Sequence, residues 1–333
     1  HRALKIGVLV TVLTSAVNVT MEGAASVQEA VLRLQPLIQE VLAVNPEIKA
    51  DGKRWDAAKE RPPQEGSLDD PLLSFEIVNL PTNSFSFSQD DMTMKQFSLS
   101  QTFPFFGKRG LRSEVAQREA NAIGQGFRDK QNEIVRRVKE TFYELYITDR
   151  SLEVVAKNRE VLKEFVKIAE TKYSVGKGIQ QDVLKAQVEL SKLLDEQIRL
   201  EQTHQAAAAK LNAILNRAPQ TPLGWTEEVL KEEMTRDLKA LQDRALENRP
   251  LLKALQEEIE RSKAANALAR RRYFPDLTMS VGYGFREDSG TAKRSDMFSA
   301  GFSINIPLYF RTKQDRQVAE TSALINSARE QYQ

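Results

Sequence analysis

The sequence predicts a mixed architecture in which long α-helical coiled-coil hairpins join four membrane-spanning β-strands. Three observations carry that expectation. Leu111 to Tyr173 contains no proline and, after Gly126, no glycine, a length that only a coiled coil or helical barrel accommodates. Two pairs of short segments alternate large apolar residues with serine, threonine and glycine, the period of a strand with one apolar and one wet face. The passage from strand to helix occurs twice, because Pro104 and Pro307 lie 203 residues apart and Pro46 and Pro250 lie 204 apart. A duplicated unit of about two hundred residues follows from those offsets.

Taken in order, the chain opens with Arg2 and Lys5 ahead of an apolar run, Ile6 to Val19, and the small residues Gly23, Ala24 and Ala25. Residues 1–25 read as a secretory signal, since the apolar run is too short to span a bilayer comfortably as a helix. The first repeat is expected over 27–217. It begins with a helix over 27–60, interrupted near Pro46 and ended by Pro62, Pro63 and Gly66, and continues with strands over 72–103. Asn79 to Asn83 and Gln89 to Asp91 are turn material, and Glu76, Asp90 and Asp91 belong in loops or on a wet face.

Phe97, Leu99, Gln101 and Phe103 share one side of the second strand, and Pro104 ends the ladder because it has no N–H to donate. Gly107 and Gly110 allow the change of direction, and a helix is expected from Leu111. Within it Val138, Leu145, Leu152, Val166 and Tyr173 fall on one heptad register and Val155, Leu162 and Ala169 on its companion, with Arg159 as a charged intruder. Ser174 to Ile179 reverses the chain. The return helix, 181–216, carries Val183, Leu190 and Leu211 on one register and Ala186, Leu193, Leu200, Ala207 and Ile214 on the other, with Gln197 and His204 in the first register's remaining places.

An inter-repeat segment, 218–235, precedes an incomplete second repeat over 236–333. A helix over 238–273 carries Pro250, strands lie within 276–306, and a last helix starts at 311. Leu277, Met279, Val281, Tyr283 and Phe285 occupy one face of the third strand; Phe298, Phe302, Ile304 and Ile306 do so in the fourth. With Phe97, Leu99 and Phe103 they form the expected lipid-facing set, opposite glycine and serine that leave room for a channel. Four strands cannot close a barrel, and open edges cannot stand in lipid, so neighbouring chains must share one.

The strand–helix junctions gather Pro104, Gly107, Lys108, Arg109 and Gly110 in one repeat. Arg270, Arg271, Arg272, Pro275 and Pro307 mark the junctions of the other. Basic and aromatic residues there, with Arg112, are expected at a membrane–water boundary.

Composition excludes several alternatives. Charged residues form 28% of the 333 residues and nearly cancel to a net +2, so nothing favours nucleic acid. With no cysteine and only His1 and His204, disulfides, thiolate chemistry and a histidine zinc site are not expected. No catalytic cluster emerges, SVGKGI lacks the spacing of a phosphate loop, and Met92 and Met94, which share a strand face, do not by themselves make a soft-metal site. Neither a cofactor nor an enzymatic role is expected.

The chain resembles the TolC-type outer membrane efflux protein family. The marks are Asn45-Pro46-Glu47, QTFPFFGKRG from Gln101 to Gly110, Tyr173-x-x-Gly176 followed by DVLKAQ, ARRRYFPDLTMSVGYG from Ala269 and INIPLYF from Ile304. The resemblance implies a homotrimer whose strands close a common twelve-stranded barrel in the cell outer membrane, continued by a helical tunnel through the periplasm. It implies a passive exit duct for small molecules or metal ions, served by a periplasmic adaptor and an inner membrane pump. In that family the hairpin tip meets the adaptor, which singles out Tyr173, Ser174, Val175, Gly176, Lys177 and Gly178. A soluble periplasmic coiled-coil scaffold or adaptor is the alternative. The sequence departs from the family at its end: only Leu308 to Gln333 follow Pro307, so most of the second long hairpin is missing and a fragment is expected.

Overall fold

The structure, a computed structural model, describes residues 31–230, 233 and 237–333. The expected signal segment lies outside the described residues. Three helices open the described chain: α1 (Leu34–Val44), α2 (Pro46–Lys59) and α3 (Arg61–Gly66). Asn45 explains the break between the first two. Its side chain accepts the N–H groups of Glu47 and Ile48 at 2.9 and 3.2 Å, capping α2, while Pro46 takes the first helical position, where no donor is needed. The same buried side chain donates to the Ile214 carbonyl at 2.8 Å, fastening the cap to a distant helix end. Pro62 and Pro63 do not end the helical region as expected. They fall in the first turn of α3, where proline is tolerated.

Strand β1 (Leu72–Val78) pairs antiparallel with β2 (Met94–Phe103). The strands occupy only the two ends of 72–103, and the residues between them form a loop in which Thr93 Oγ1 donates to the Asn79 carbonyl and Asp90 Oδ1 accepts the Met92 N–H. Met92 thus sits in a turn outside the strand that holds Met94, and the two share no strand face.

Helix α4 (Lys108–Ser174) runs 67 residues, about 100 Å at 1.5 Å per residue. It starts at Lys108 rather than Leu111 because Gly107, at φ +86°, completes the turn alone, after which Lys108 N–H reaches the Phe105 carbonyl. Gly110 is an ordinary helical residue and plays no part in the change of direction. The return helix, α5 (Gln180–Ile214), packs antiparallel to α4. The heptad registers meet: Leu162, Val166 and Ala169 of 160–174 and Val183, Ala186, Leu190 and Leu193 of 180–195 are the half-buried residues of the otherwise exposed outer part of the hairpin. Arg159, the charged intruder, donates to Gln197 Oε1 across the seam at 2.6 Å. Tyr173 lies beyond the packed seam, exposed at the tip.

Toward the middle of the molecule the hairpin joins the core, where Val41, Ile134, Val138, Phe142, Leu145 and Leu211 are almost fully buried. Gly124 admits Trp55 of α2: a Cβ at that glycine would stand 2.7 Å from the indole nitrogen. Trp55 also stacks on Phe127, with ring centroids 5.8 Å apart. A buried carboxylate, Asp149, accepts the Thr226 backbone N–H at 3.0 Å and its hydroxyl at 2.7 Å. His204 Nε2 approaches its other oxygen to 3.1 Å. This node clamps α4, α5 and the short parallel bridge between Leu32 and Thr226.

The second half contains α6 (Leu238–Asn248), α7 (Pro250–Arg271), β3 (Leu277–Phe285), β4 (Met297–Ile304) and α8 (Gln314–Tyr332). The expected single helix over 238–273 is divided before Pro250. Arg249 there has φ −67° and ψ 117°, close to the −60° and 126° of Asn45, so the two proline breaks share a backbone conformation. Helix α7 packs against both α4 and α8, and Asn266 Nδ2 fixes α8 through Thr321 Oγ1 at 2.8 Å and Ser322 Oγ at 3.1 Å.

The four strands form one antiparallel sheet in the order β1-β2-β3-β4, so each half of the chain contributes a hairpin and the halves meet between β2 and β3. Register aligns Phe75, Phe97, Tyr283 and Phe298 in one row and Leu73, Leu99, Val281 and Ala300 in the next. Gln101, Met279 and Phe302 follow, then Phe103, Leu277 and Ile304. The opposite face carries Glu76, Gln96, Ser98, Ser280, Ser299 and Gly301 in matching rows.

Candidate functional site

The features that bear on function lie in three places: the apolar face of the sheet, the junction where strands become helices, and the hairpin tip about a hundred ångströms away.

On the sheet, Phe97, Leu99, Phe103, Leu277, Met279, Val281, Tyr283, Phe285, Phe298, Phe302, Ile304 and Ile306 are all exposed. All but Ile306 lie within strands; Ile306 follows the end of β4. Sequence reasoning missed Leu73, Phe75 and Ile77 of β1, which complete the same face and alternate with Ser74 and Glu76 in the expected period. Aromatic rings collect at the loop end, where Phe75 meets Phe97 at 4.9 Å and Tyr283 meets Phe285 at 4.8 Å between centroids. Others collect at the helix end, including Phe103, Phe105 and Phe274. Phe103 lies six residues beyond Phe97, roughly 20 Å of strand, close to the height of an outer membrane barrel's apolar band.

Lys95 shares the apolar face but lies at its loop edge, with Nζ 2.7 Å from Glu287. The two loops at that end are joined by Arg294, whose guanidinium donates to the Ser88 carbonyl and pairs with Asp91. The Arg286 backbone N–H, followed by the Tyr283 hydroxyl, holds the Asp296 carboxyl below its ordinary range.

The opposite face differs from expectation in one respect. The glycines there leave no open space of their own: a Cβ at Gly282 would stand 2.8 Å from the Gln96 amide nitrogen, and one at Gly284 2.6 Å from the Met94 sulfur. Side chains from β2 lie flat across β3 because those glycines are bare.

The junction is built from both halves of the chain. Phe105 and Phe274 stack nearly parallel, with centroids 4.5 Å apart. Lys108, expected among boundary cations, is instead buried. Its Nζ donates to the Phe274 carbonyl and to Asp276 Oδ1, each at 2.7 Å, and Asp276 Oδ1 also accepts the Phe105 N–H at 2.7 Å. An ammonium with two close acceptors satisfies itself inside the protein and is withdrawn from any boundary role. Asp276 was missed because a lone aspartate after a proline has no periodic signature.

Arg109, Arg270, Arg271 and Arg272 remain exposed. Arg109 Nε donates to the Gly66 carbonyl at 2.9 Å, Arg270 Nε to Asn266 Oδ1 at 3.0 Å, and Arg112 approaches Asp69 at 3.9 Å. Tyr273 donates its hydroxyl to Asp315, which raises the phenol above its ordinary range. Pro104 and Pro275 line an apolar pocket at the foot of β2 and β3, while Pro307 stands half-buried between β4 and α8.

At the tip, Tyr173, Ser174, Val175 and Lys177 are exposed and Gly178 is half-buried. Gly176, at φ +72°, is the left-handed residue of a Schellman end: Lys177 N–H reaches the Lys172 carbonyl at 2.8 Å and Gly176 N–H the Tyr173 carbonyl at 3.0 Å. A Cβ on Gly178 would lie 3.1 Å from Lys172 Cβ and 3.2 Å from the Tyr173 nitrogen, so that glycine is required for close approach.

The sequence profile of the outer membrane efflux proteins matches residues 37–217 and 241–333. The chain belongs to the outer membrane efflux protein family. Among relatives of this family, the cobalt-zinc-cadmium resistance protein CzcC of Cupriavidus metallidurans is 26% identical over 208 residues, 62% of this chain and 48% of its own. The match thus spans about half the length of that relative. The structure of the outer-membrane channel OprN superposes with a TM-score of 0.73 at 17% identity, covering 90% of this chain and 69% of that one. VceC of Vibrio cholerae gives 0.71 at 19%, covering 90% and 74%. These likenesses establish the fold of the family's channels, a helical tunnel joined to a β-barrel. Among the described residues no helix is long and apolar enough to cross a membrane, and no group of three or more histidine or acidic residues is placed to hold a metal ion.

Proposed function

We propose that this protein is the outer membrane exit duct of a tripartite efflux system, a passive channel rather than an enzyme. The observation that carries this reading is the four-stranded sheet, whose outer strands β1 and β4 each leave one edge unpaired while one face is apolar apart from Gln101 and the edge residue Lys95. Such a sheet in lipid requires neighbours at both edges. Three chains supplying four strands each close a twelve-stranded barrel, with the apolar rows toward lipid and the serine, glycine and glutamine face toward the lumen. Helices α4 and α5 extend from its periplasmic end as part of a tunnel. Energy and substrate come from an inner membrane pump through a periplasmic adaptor. The apolar strand face argues against the soluble scaffold, which has no use for aromatic rings directed outward on both hairpins.

The similarity to a protein named for cobalt, zinc and cadmium resistance makes divalent cations the first cargo to test. The hairpin tip from Tyr173 to Gly178 is the adaptor-docking turn in this reading, supported by its exposure and its distance from the barrel. The shared break at Asn45 and Arg249 supports two copies of one unit, over 27–217 and 236–333, separated by 218–235. Fractionation of cells making the full-length protein tests the central claim. The protein should sediment with outer membranes, resist alkali and run as a trimer in mild detergent. Recovery as a soluble periplasmic monomer would refute the reading.

A further inference from the structure

An apolar pocket of about 480 Å³ opens at the foot of the sheet's outward face, between the ends of β2 and β3 and the turn into α4. Leu68, Phe103, Phe105, Leu277 and Met279 line it, so it continues the outward apolar face into the junction. It sits beneath the two inner strands, away from the edges that meet neighbouring chains. Arg109 forms one wall, and Arg271 stands beside another, its Nε 3.9 Å from where a Cβ on Gly107 would be.

The charge around the pocket is uneven. Lys108 is neutralised by Asp276, Arg61 by Glu119 at 2.6 Å, and Arg112 lies near Asp69. Arg109 and Arg271 make no ion pair among the described residues. Two uncompensated guanidinium groups therefore border an apolar cavity at the height where the barrel meets the periplasm. Guanidinium matches phosphate oxygens in planar pairs, and the cavity is suited to hydrocarbon.

We propose that this pocket binds an anionic phospholipid of the inner leaflet, with part of an acyl chain among the aromatic residues and the phosphate on Arg109 and Arg271. The inference rests on the lipid-facing reading of the sheet. Its consequence is positional: a bound lipid at each of three junctions fixes the height of the barrel and braces the stacked Phe105–Phe274 pair.

The test uses the full-length trimer, delipidated in detergent and titrated with dioleoyl phosphatidylglycerol under native mass spectrometry. Phosphatidylcholine of the same chains and inorganic phosphate are the references. Phosphatidylglycerol should bind more tightly than either. Arg109→Gln with Arg271→Gln should weaken that binding about fivefold for each charge removed. Arg244→Gln, a charge loss on α6, should leave it unchanged. Leu68→Trp, which fills the pocket, should weaken both lipids while the trimer persists.

Equal binding of the two lipids, or unchanged affinity in the arginine variant, would overturn the proposal. Equal affinity for phosphatidylglycerol and inorganic phosphate would do so too, by showing that the chain adds nothing. Unaltered lipid binding in Leu68→Trp would place any lipid elsewhere. Liposome flotation separates the two levels: trimers that float but lack the lipid preference defeat only this inference, whereas trimers that do not float defeat the lipid-facing reading beneath it.

Discussion

Lys108→Met should loosen the junction between the two halves of the chain. The native ammonium is 4% exposed and has two acceptors at 2.7 Å, Asp276 and the Phe274 carbonyl. Methionine conserves most of the stem volume but leaves the carboxylate with the Phe105 N–H and no cation. Removing one partner of a fully buried pair costs about 3–5 kcal/mol. The Asp276 side chain is 23% exposed, so water reaches the orphaned charge and the lower end, about 3 kcal/mol, is expected. Asp276→Asn keeps the Phe105 hydrogen bond but leaves Lys108 without its counter-ion, and about 2 kcal/mol is expected.

The two changes share one interaction, so the double variant should fall short of their sum by about 1.5 kcal/mol or more. Guanidinium titration of the full-length trimer in detergent, followed by helical circular dichroism, measures all three where unfolding is reversible. A Lys108→Met cost below about 0.5 kcal/mol, or strict additivity, would show that the pair does not hold the halves together.

Two further outcomes follow from particular glycines. Gly124→Ala should displace Trp55, because the added methyl would stand 2.7 Å from the indole nitrogen; a loss of about 1–3 kcal/mol and an altered tryptophan emission are expected, and an unchanged spectrum would contradict the contact. Gly176→Val places a β-branched residue at φ +72°, with a strain of roughly 1–2 kcal/mol confined to an exposed turn. Trimer assembly and membrane insertion should persist while efflux and cross-linking to the adaptor fall severalfold; normal cross-linking would remove the docking role and leave Gly176 a reversal residue only.

Local period was enough to read much of this protein. Alternation in Phe97–Phe103 and Leu277–Phe285 marks strands with one apolar face, and the seven-residue spacing through Val138, Leu145 and Leu152 marks a helical seam. Both patterns arise because each side chain's direction is set by the backbone of its own element. The sequence also marked Arg159 as the seam's exception, although its pairing with Gln197 is known only from the structure. The turn at Gly176 and the break at Pro46 were legible for the same reason: their backbone requirements are local.

What needed the tertiary structure is whatever depends on where the chain returns. Lys108 looks like another cation in a basic turn until Asp276, 168 residues later, is brought beneath it. Asp149 resembles any solvated helical carboxylate until Thr226 and His204 close over it. Gly282 and Gly284 read as open space, yet Gln96 and Met94 from the neighbouring strand fill it. The limits of β1 and β2 were decided by register with their partners rather than by composition, which left residues 79–93 as loop. Periodicity specifies which face of an element is apolar. Which buried charge is neutralised, and by what, is settled by contacts between residues far apart in the chain, where the cost of an unpaired charge selects the partner.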